Sequence, residues 1–499
     1  MTSEALPGVS LTFVPRGPEP EPLRTDVAAF LGRFRRGPVG TPVRVESWND
    51  VVGVFGPPPP EGAFATPYAL RGFFENGGRT AWVLRVSGPA ATAHALWEVG
   101  DIAGFAATRY RVDATSPGAW ANTVRVDIRY QVSTVAGPPT VSVRVTVPGE
   151  APETFPGLPP ADVADRLTGS RYIRLVPDGP APAPGTPGPI SMSWPLTLAG
   201  GTDTPPTRQE YSDAVTVQSE LPEPALVALP DLGTDLSGTV HTDMVLELLG
   251  AVSPLLDRLV VLDVPPQLSS VDATVEWVQS LTGAGDSQLL SCAAVYHPLL
   301  RTPDGPALRT VPASGHVLGV IARLDAERGA HHTPANAVIL EAVDLAAELP
   351  EPQQVRLFDA GVDLIRCTRG RGLMVWGGRT LSADPRTRYI AHRRLLHLLV
   401  RAIRRVAGPL VFDVNSPELR LTLVRAITSV LLSAFRAGAL TGTRPEQAFR
   451  VVCDDTNNPP EQDPGQLVCE IEVAAAVPME FLRLRLVLGQ DRGLEVIEA

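Results

Sequence analysis

Between residues 225 and 296, short apolar runs alternate with amphipathic stretches, and this limits the architecture more than any other feature of the chain. The runs at 225–229, 259–262 and 290–296 are almost wholly apolar, which suits strands buried on both faces. The segments between them, 242–249 and 273–281, carry apolar residues at helical spacing. A helix between two strands is a crossover and not a hairpin, so the strands run parallel and the helices cover the faces of their sheet. Residues 334–349 read as a further helix, stopped by Pro350.

The flanking regions follow other periods. Val9, Leu11 and Phe13 alternate as in a strand, but Pro15 and the Pro/Glu-rich stretch 18–22 fence it off from any hairpin partner. It must pair with something distant or with another chain. Residues 67–76 read as a helix ended by Gly77-Gly78, and 80–86 as a buried strand. Four prolines, Pro57–Pro60, make a stiff connector. From about 101 to 201, strict alternation takes over (Val124, Val126, Ile128; Val141, Val143, Val145), as in half-exposed strands of an inserted β-rich domain. Beyond about 364, two long helices are expected at 389–406 and 416–437, then paired strands at 449–453 and 467–473. Leu482, Leu484 and Leu486 alternate with Arg483 and Arg485, which gives one more strand near the end.

The 499 residues leave room for three or four domains, and a hydrophobic content of 44% suffices for real cores. The formal net charge of −11 argues against a general nucleic-acid binder, and no apolar run is long enough to span a membrane. Residues 1–10 lack the pattern of a signal peptide, so the chain reads as made and assembled in the cytoplasm. Four cysteines without a CxxC pair read as reduced, mostly buried thiols, with Cys453 and Cys469 possible neighbours in space.

Catalytic constellations do not emerge. All 43 basic residues are arginine, so a lysine-containing phosphate-binding loop is impossible. Gly370-Arg371-Gly372 lacks the third glycine of a dinucleotide fold, and no Gly-x-Ser-x-Gly elbow occurs. Ser314 lies near His316, but a hydrolase would also need a placed acid and an oxyanion hole, and a turn before a helix explains the pair. His331-His332, with Asp325 and Glu327 nearby, lacks the i,i+4 spacing of a metal helix, and 454–458 resembles a calcium loop in composition alone. No catalytic residue, cofactor or metal is assigned. One charge feature stands out: residues 386–405 hold seven arginines and no acid. They form either a solvated helix face or a docking surface for an acidic partner, for which the arginine fork is suited.

Several stretches together resemble the tail sheath proteins of contractile phages and phage-derived injection systems. They include Pro7-Gly8-Val9, Arg71-Gly72-Phe73-Phe74-Glu75-Asn76-Gly77-Gly78-Arg79 and Ser116-Pro117-Gly118-Ala119-Trp120-Ala121-Asn122. Leu198-Ala199-Gly200-Gly201-Thr202-Asp203, Tyr296-His297-Pro298 and Val375-Trp376-Gly377-Gly378-Arg379 follow in the family's order. The resemblance implies a structural subunit, not an enzyme. It polymerises around an inner tube and contracts to drive the tube through a target envelope, in a phage-tail-like particle or, alternatively, as sheath or terminator of a phage virion. A hydrolase built on the α/β part is the remote alternative.

The implied fold is a multidomain mixed α/β chain. It comprises an N-terminal arm at 1–22, an inner core of 23–100 with 365–479, an inserted β-rich domain at 101–205, a subtilisin-like α/β domain without a protease triad at 206–364, and a C-terminal arm at 480–499. The arms (Val9, Leu11, Phe13; Leu482, Leu484, Leu486) would add strands to neighbouring copies. Arg393, Arg394, Arg401, Arg404 and Arg405 would face the tube. The implied partners are further copies of the chain, the inner tube protein, and baseplate and cap proteins, with neither nucleic acid nor membrane insertion.

Overall fold

A computed structural model describes residues 23–59, 64–99, 108–132, 138–180, 191–268, 270–410, 413–459, 466–476, 482–489 and 493–498. The architecture is mixed α/β, organised around an eight-stranded sheet. Its order is Gly372–Trp376, Val362–Thr368, Ala293–His297, Leu259–Asp263, Leu226–Ala228, Ala28–Gly32, Ala81–Arg85 and Val43–Val45. The six inner strands are parallel and the two outer ones antiparallel. The apolar runs in the sequence are these inner strands: all five residues of Ala28–Gly32 and of Ala293–His297 are buried.

Alternate residues of each strand feed two cores. Ala28 and Phe30 pack with helices Thr66–Glu75 and Ser314–Arg328 on one face. Ala29 and Leu31 pack with helices Arg208–Glu220, Gly238–Val252 and Val271–Ala284 on the other.

This sheet corrects the expected grouping of 23–100 with 365–479. The strand Ala28–Gly32 is apolar on both faces, so it needs a neighbour on each side. It finds them in Ala81–Arg85 and in Leu226–Ala228, and the N-terminal segment thereby supplies three of the eight strands of the sheet it shares with the 226–376 segment.

The expected helix at 334–349 is also corrected. Asn336 and Glu341 adopt left-handed φ of 66° and 61°, and residues 336–339 run extended beside Gly372–Trp376, with Asn336 N donating to Val375 O at 2.8 Å. Pro350 does not stop a helix but precedes one, Glu351–Asp359, whose first turn tolerates proline because its N–H groups need no intrahelical partner.

The insertion consists of two antiparallel sheets. One has three strands (His94–Val99, Thr108–Ala114, Ile173–Pro180), and the other has four, ordered Ser191–Thr197, Arg125–Gln131, Thr140–Thr146 and Glu153–Leu158. It starts earlier than the expected residue 101, because His94–Val99 pairs with Thr108–Ala114. Val126, Ile128 and Tyr130 point inward to a core with Trp97, Val141 and Val143, as their alternation requires.

The C-terminal unit packs helices Ile390–Ala407 and Pro417–Arg436 on a four-stranded antiparallel sheet ordered Phe449–Val452, Gln466–Val473, Leu482–Gly489 and Gly493–Glu498.

Candidate assembly surfaces

The helix Ile390–Ala407 has two working faces. Leu395, Leu396, Leu399, Val400 and Ile403 enter the C-terminal core. Arg394 and Arg401, seven residues apart and so two turns along one side, point toward the large sheet. The Arg394 guanidinium donates to Ala225 O at 3.2 Å and Thr25 O at 2.6 Å, and pairs with Asp325. Arg401 donates to Arg24 O at 3.0 Å and Glu223 O at 2.8 Å, as well as to Pro224 O.

Residues 24–25 lead into the strand Ala28–Gly32, and 223–225 lead into its parallel neighbour Leu226–Ala228. The two arginines therefore hold the entry segments of two adjacent strands at matching heights. Backbone carbonyls outside the ladder need such donors once water is excluded. Burial pulls the Arg401 guanidinium down to about 10, with Asp257 opposing that shift, so it remains charged at neutral pH.

The expectation that this helix turns its arginines to a tube is corrected for three of the five. Arg393 and Arg394 are 2% and 1% exposed, and the Arg401 side chain is 10% exposed. Their positions beside the leucine stripe were the available signal: an arginine bordering an apolar face is placed to bury its stem and bond carbonyls beneath it. Arg404 is half-buried, 3.6 Å from Asp257, and Arg405 is exposed. Both line an open cleft of about 820 Å³, together with Arg24, Arg44, Arg258 and Arg401.

The two expected arms fare differently. Val9, Leu11 and Phe13 lie outside the described residues. The strand Leu482–Gly489, read as lacking a partner, has two in its own chain: Leu482 stands opposite Val473, Leu484 opposite Ile471 and Leu486 opposite Cys469, while Gly493–Glu498 pairs on its other side.

Ser314 and His316, the pair closest to catalytic chemistry in the sequence, lie in the core. Ser314 is fully buried, and its amide donates to Asp263 Oδ1 at 2.8 Å. The His316 ring packs on Gly72, with no hydrogen-bond partner at either nitrogen. Burial pulls that imidazole down to about 4 and pushes the Asp263 carboxyl up to about 6. The His331 and His332 ring centroids lie 4.3 Å apart with the planes tilted by 48°, and no cluster of three metal-ligating side chains occurs among the described residues. Of the cysteines, 292, 453 and 469 are buried and Cys367 is exposed, in keeping with mostly buried thiols. No helix among the described residues is long and apolar enough to cross a membrane.

The motifs at the root of the insertion come together in space. Gly118, at φ 137°, turns the chain into the short helix Ala119–Thr123. Asn122 then bonds Gly201, and Asp203 Oδ2 accepts from Ala119 N at 3.1 Å. Arg85, from the large sheet, donates to Gly37 O at 2.8 Å and Pro117 O at 3.0 Å. Two distant sequence segments and the sheet edge thus form one neck.

Residues 205–381 match the family model described as the phage tail sheath protein central domain. The tail sheath protein of Vibrio phage KVP40 is 29% identical over 184 residues, covering 36% of this chain and 26% of its own length. That of Enterobacteria phage T4 is 29% identical over 233 residues, covering 44% of this chain and 34% of its own length. The match therefore spans only a minor part of either relative. Among solved structures, the sheath tail protein of Desulfitobacterium hafniense aligns over 97% of this chain and 100% of its own, with a TM-score of 0.65 at 15% identity. The contracted helical sheath of the anti-feeding prophage aligns over 96% and 98%, with a TM-score of 0.54 at 21% identity. The contracted PVC sheath complex of an extracellular contractile injection system aligns over 96% of each chain, with a TM-score of 0.54 at 16% identity. Residues 205–381 thus match the phage tail sheath central domain, and nearly the whole chain shares its fold with the solved sheath proteins.

Proposed function

We propose that the chain is the sheath subunit of a phage-tail-like contractile injection system, in which copies polymerise around an inner tube and contract to drive it through a target envelope. The observation that carries this reading, beside the sheath central domain, is the C-terminal sheet. Its outermost strand, Gly493–Glu498, has a partner on one side only among the described residues. An open, regular strand edge accepts another strand through backbone bonds that do not depend on side-chain identity. The alternating segment 9–14, fenced by prolines, is suited to supply that strand from another copy.

Strands shared between copies keep subunits joined while their domains rotate, which is what contraction demands. The role is structural, and the further partners are the tube, baseplate and cap proteins of the same particle, assembled in the cytoplasm. Arg404 and Arg405 remain candidates for the tube contact. A phage virion sheath is the second reading, favoured by the two phage relatives.

Negative-stain microscopy of the purified protein, with and without residues 1–15, tests the proposal. Tubes or stacked rings from the full chain, and folded single subunits from the truncated one, are the expected result. Full-length tubes from the truncated chain would overturn strand exchange.

A further inference from the structure

We propose that Cys453 and Cys469 form an oxidisable dithiol, which a thiol oxidant closes into an intrachain disulfide between the first two strands of the C-terminal sheet. The register places them together. Val451 stands opposite Ile471 and Val452 opposite Glu470, so the next step along the antiparallel pair sets Cys453 against Cys469. Directly opposed residues in such a pair have Cα atoms about 4.5–5.5 Å apart, within the span a disulfide bridges. Both side chains turn into the same core, with Leu467 and Ile471.

The backbone around them is held. Asn458 continues the ladder in place of the departing strand: its side chain accepts from Val468 N at 2.6 Å and donates to Val468 O at 2.8 Å. The backbone that carries the two opposed cysteines is therefore tied on both sides of the pair.

The chemistry of the two groups is unequal. The neighbouring Cys469 thiol, with the Arg420 charge acting in the same direction, holds Cys453 below the ordinary thiol range. Cys453 is also the less buried of the two, 7% exposed against 0%, so an oxidant from solution reaches its thiol first. With a diazenedicarboxamide oxidant, the Cys453 sulfur adds to the N=N bond. The Cys469 sulfur then displaces nitrogen from that adduct, forming the S–S bond. Two electrons and both thiol protons pass to the oxidant, which leaves as the hydrazine.

The other two cysteines serve as internal references. Cys292 is buried away from any thiol, bonded to Leu289 O, and pushed up to about 12 by burial. Cys367 is exposed.

The test uses the full chain, treated with the oxidant while folded, then denatured, alkylated and digested with trypsin. Both cysteines fall in one peptide, 451–483, because no arginine or lysine lies between Arg450 and Arg483. That peptide is expected to lose two hydrogens and take up no alkylating agent, while the Cys292 peptide is alkylated in full. The Cys453→Ser variant must abolish the mass loss. Full alkylation of both cysteines in the 451–483 peptide, in a sample where Cys367 has been oxidised and the reagent has therefore acted, would overturn the proposal.

Discussion

Asn122 and Gly201, 79 residues apart in the chain, bond each other twice: the Asn122 amide donates to Gly201 O at 2.8 Å, and Gly201 N donates to Asn122 Oδ1 at 2.8 Å. An asparagine side chain used this way imitates a strand partner, and it ties the two ends of the insertion together where it leaves the large sheet. Replacing Asn122 by Ala leaves a half-buried donor and acceptor unpaired, a loss of about 1–3 kcal/mol. Hydrogen exchange should show the Gly201 amide and the neck opening faster, with the inner strands of the eight-stranded sheet unaffected.

Two helices on one face of that sheet touch through glycines. A Cβ on Gly315 would collide with the Ala69 carbonyl of helix Thr66–Glu75, and one on Gly319 would lie 2.5 Å from Phe73 O. Backbone cannot give way as a side chain can, so Gly315→Ala is expected to cost about 2 kcal/mol or more in chemical denaturation. Gly250, in helix Gly238–Val252 with nothing within 4 Å, is the matched control. There the same substitution should stabilise by about 0.5–1 kcal/mol.

Arg394 and Asp325 are an ion pair with side chains 1% and 4% exposed. Removing Arg394 strands a carboxylate in the core and unbonds the carbonyls of Thr25 and Ala225. Arg394→Ala should therefore lower unfolding stability by about 3–5 kcal/mol. A tube-binding experiment that reverses Arg401 disturbs the strand entries as well as any interface, so the contact is tested with Arg404→Glu and Arg405→Glu together, with unfolding stability measured beside binding because Arg404 lies 3.6 Å from Asp257. Unchanged binding to the tube protein in that pair would remove the helix from the interface.

Acid should weaken the fold in part through His316. Its folded value, lowered from 6.5 to about 4, means that the unfolded chain binds the proton more tightly. The contribution to stability is complete above 6.5 and is lost as pH falls toward 4, by about 3 kcal/mol for this one group. Asp263, raised from 3.8 to about 6, acts in the opposite sense over nearly the same window: its burial costs stability above pH 6, and acid relieves that cost. Comparing stability at pH 4.5 and 7 in wild type and His316→Gln isolates the histidine. The variant should have the flatter acid limb, whatever its stability at neutral pH.

The alternation of apolar runs with amphipathic helices made the parallel sheet legible, because period and crossover length are local properties of the chain. The insertion was legible for the same reason: Val124, Val126 and Ile128 can alternate only as a half-covered strand. The segment 334–349 misled because its composition suits a helix while two left-handed residues and an adjacent strand edge do not. Tertiary pairing outweighs weak propensity there.

Other features are decided only in three dimensions. Which strands sit beside Ala28–Gly32 depends on pairing across some 200 residues of chain, since the entropy of closing such loops grows too slowly to select a partner. Whether an arginine faces solvent or the core is likewise absent from its spacing: Arg394 and Arg405 belong to one charge run, yet one grips buried carbonyls and the other is exposed. The sequence alone determined that a double-faced sheet, a β insertion and a strand at 482–489 would exist. The tertiary structure alone decided that the last strands find partners in their own chain and that the arginine helix holds the sheet together from behind.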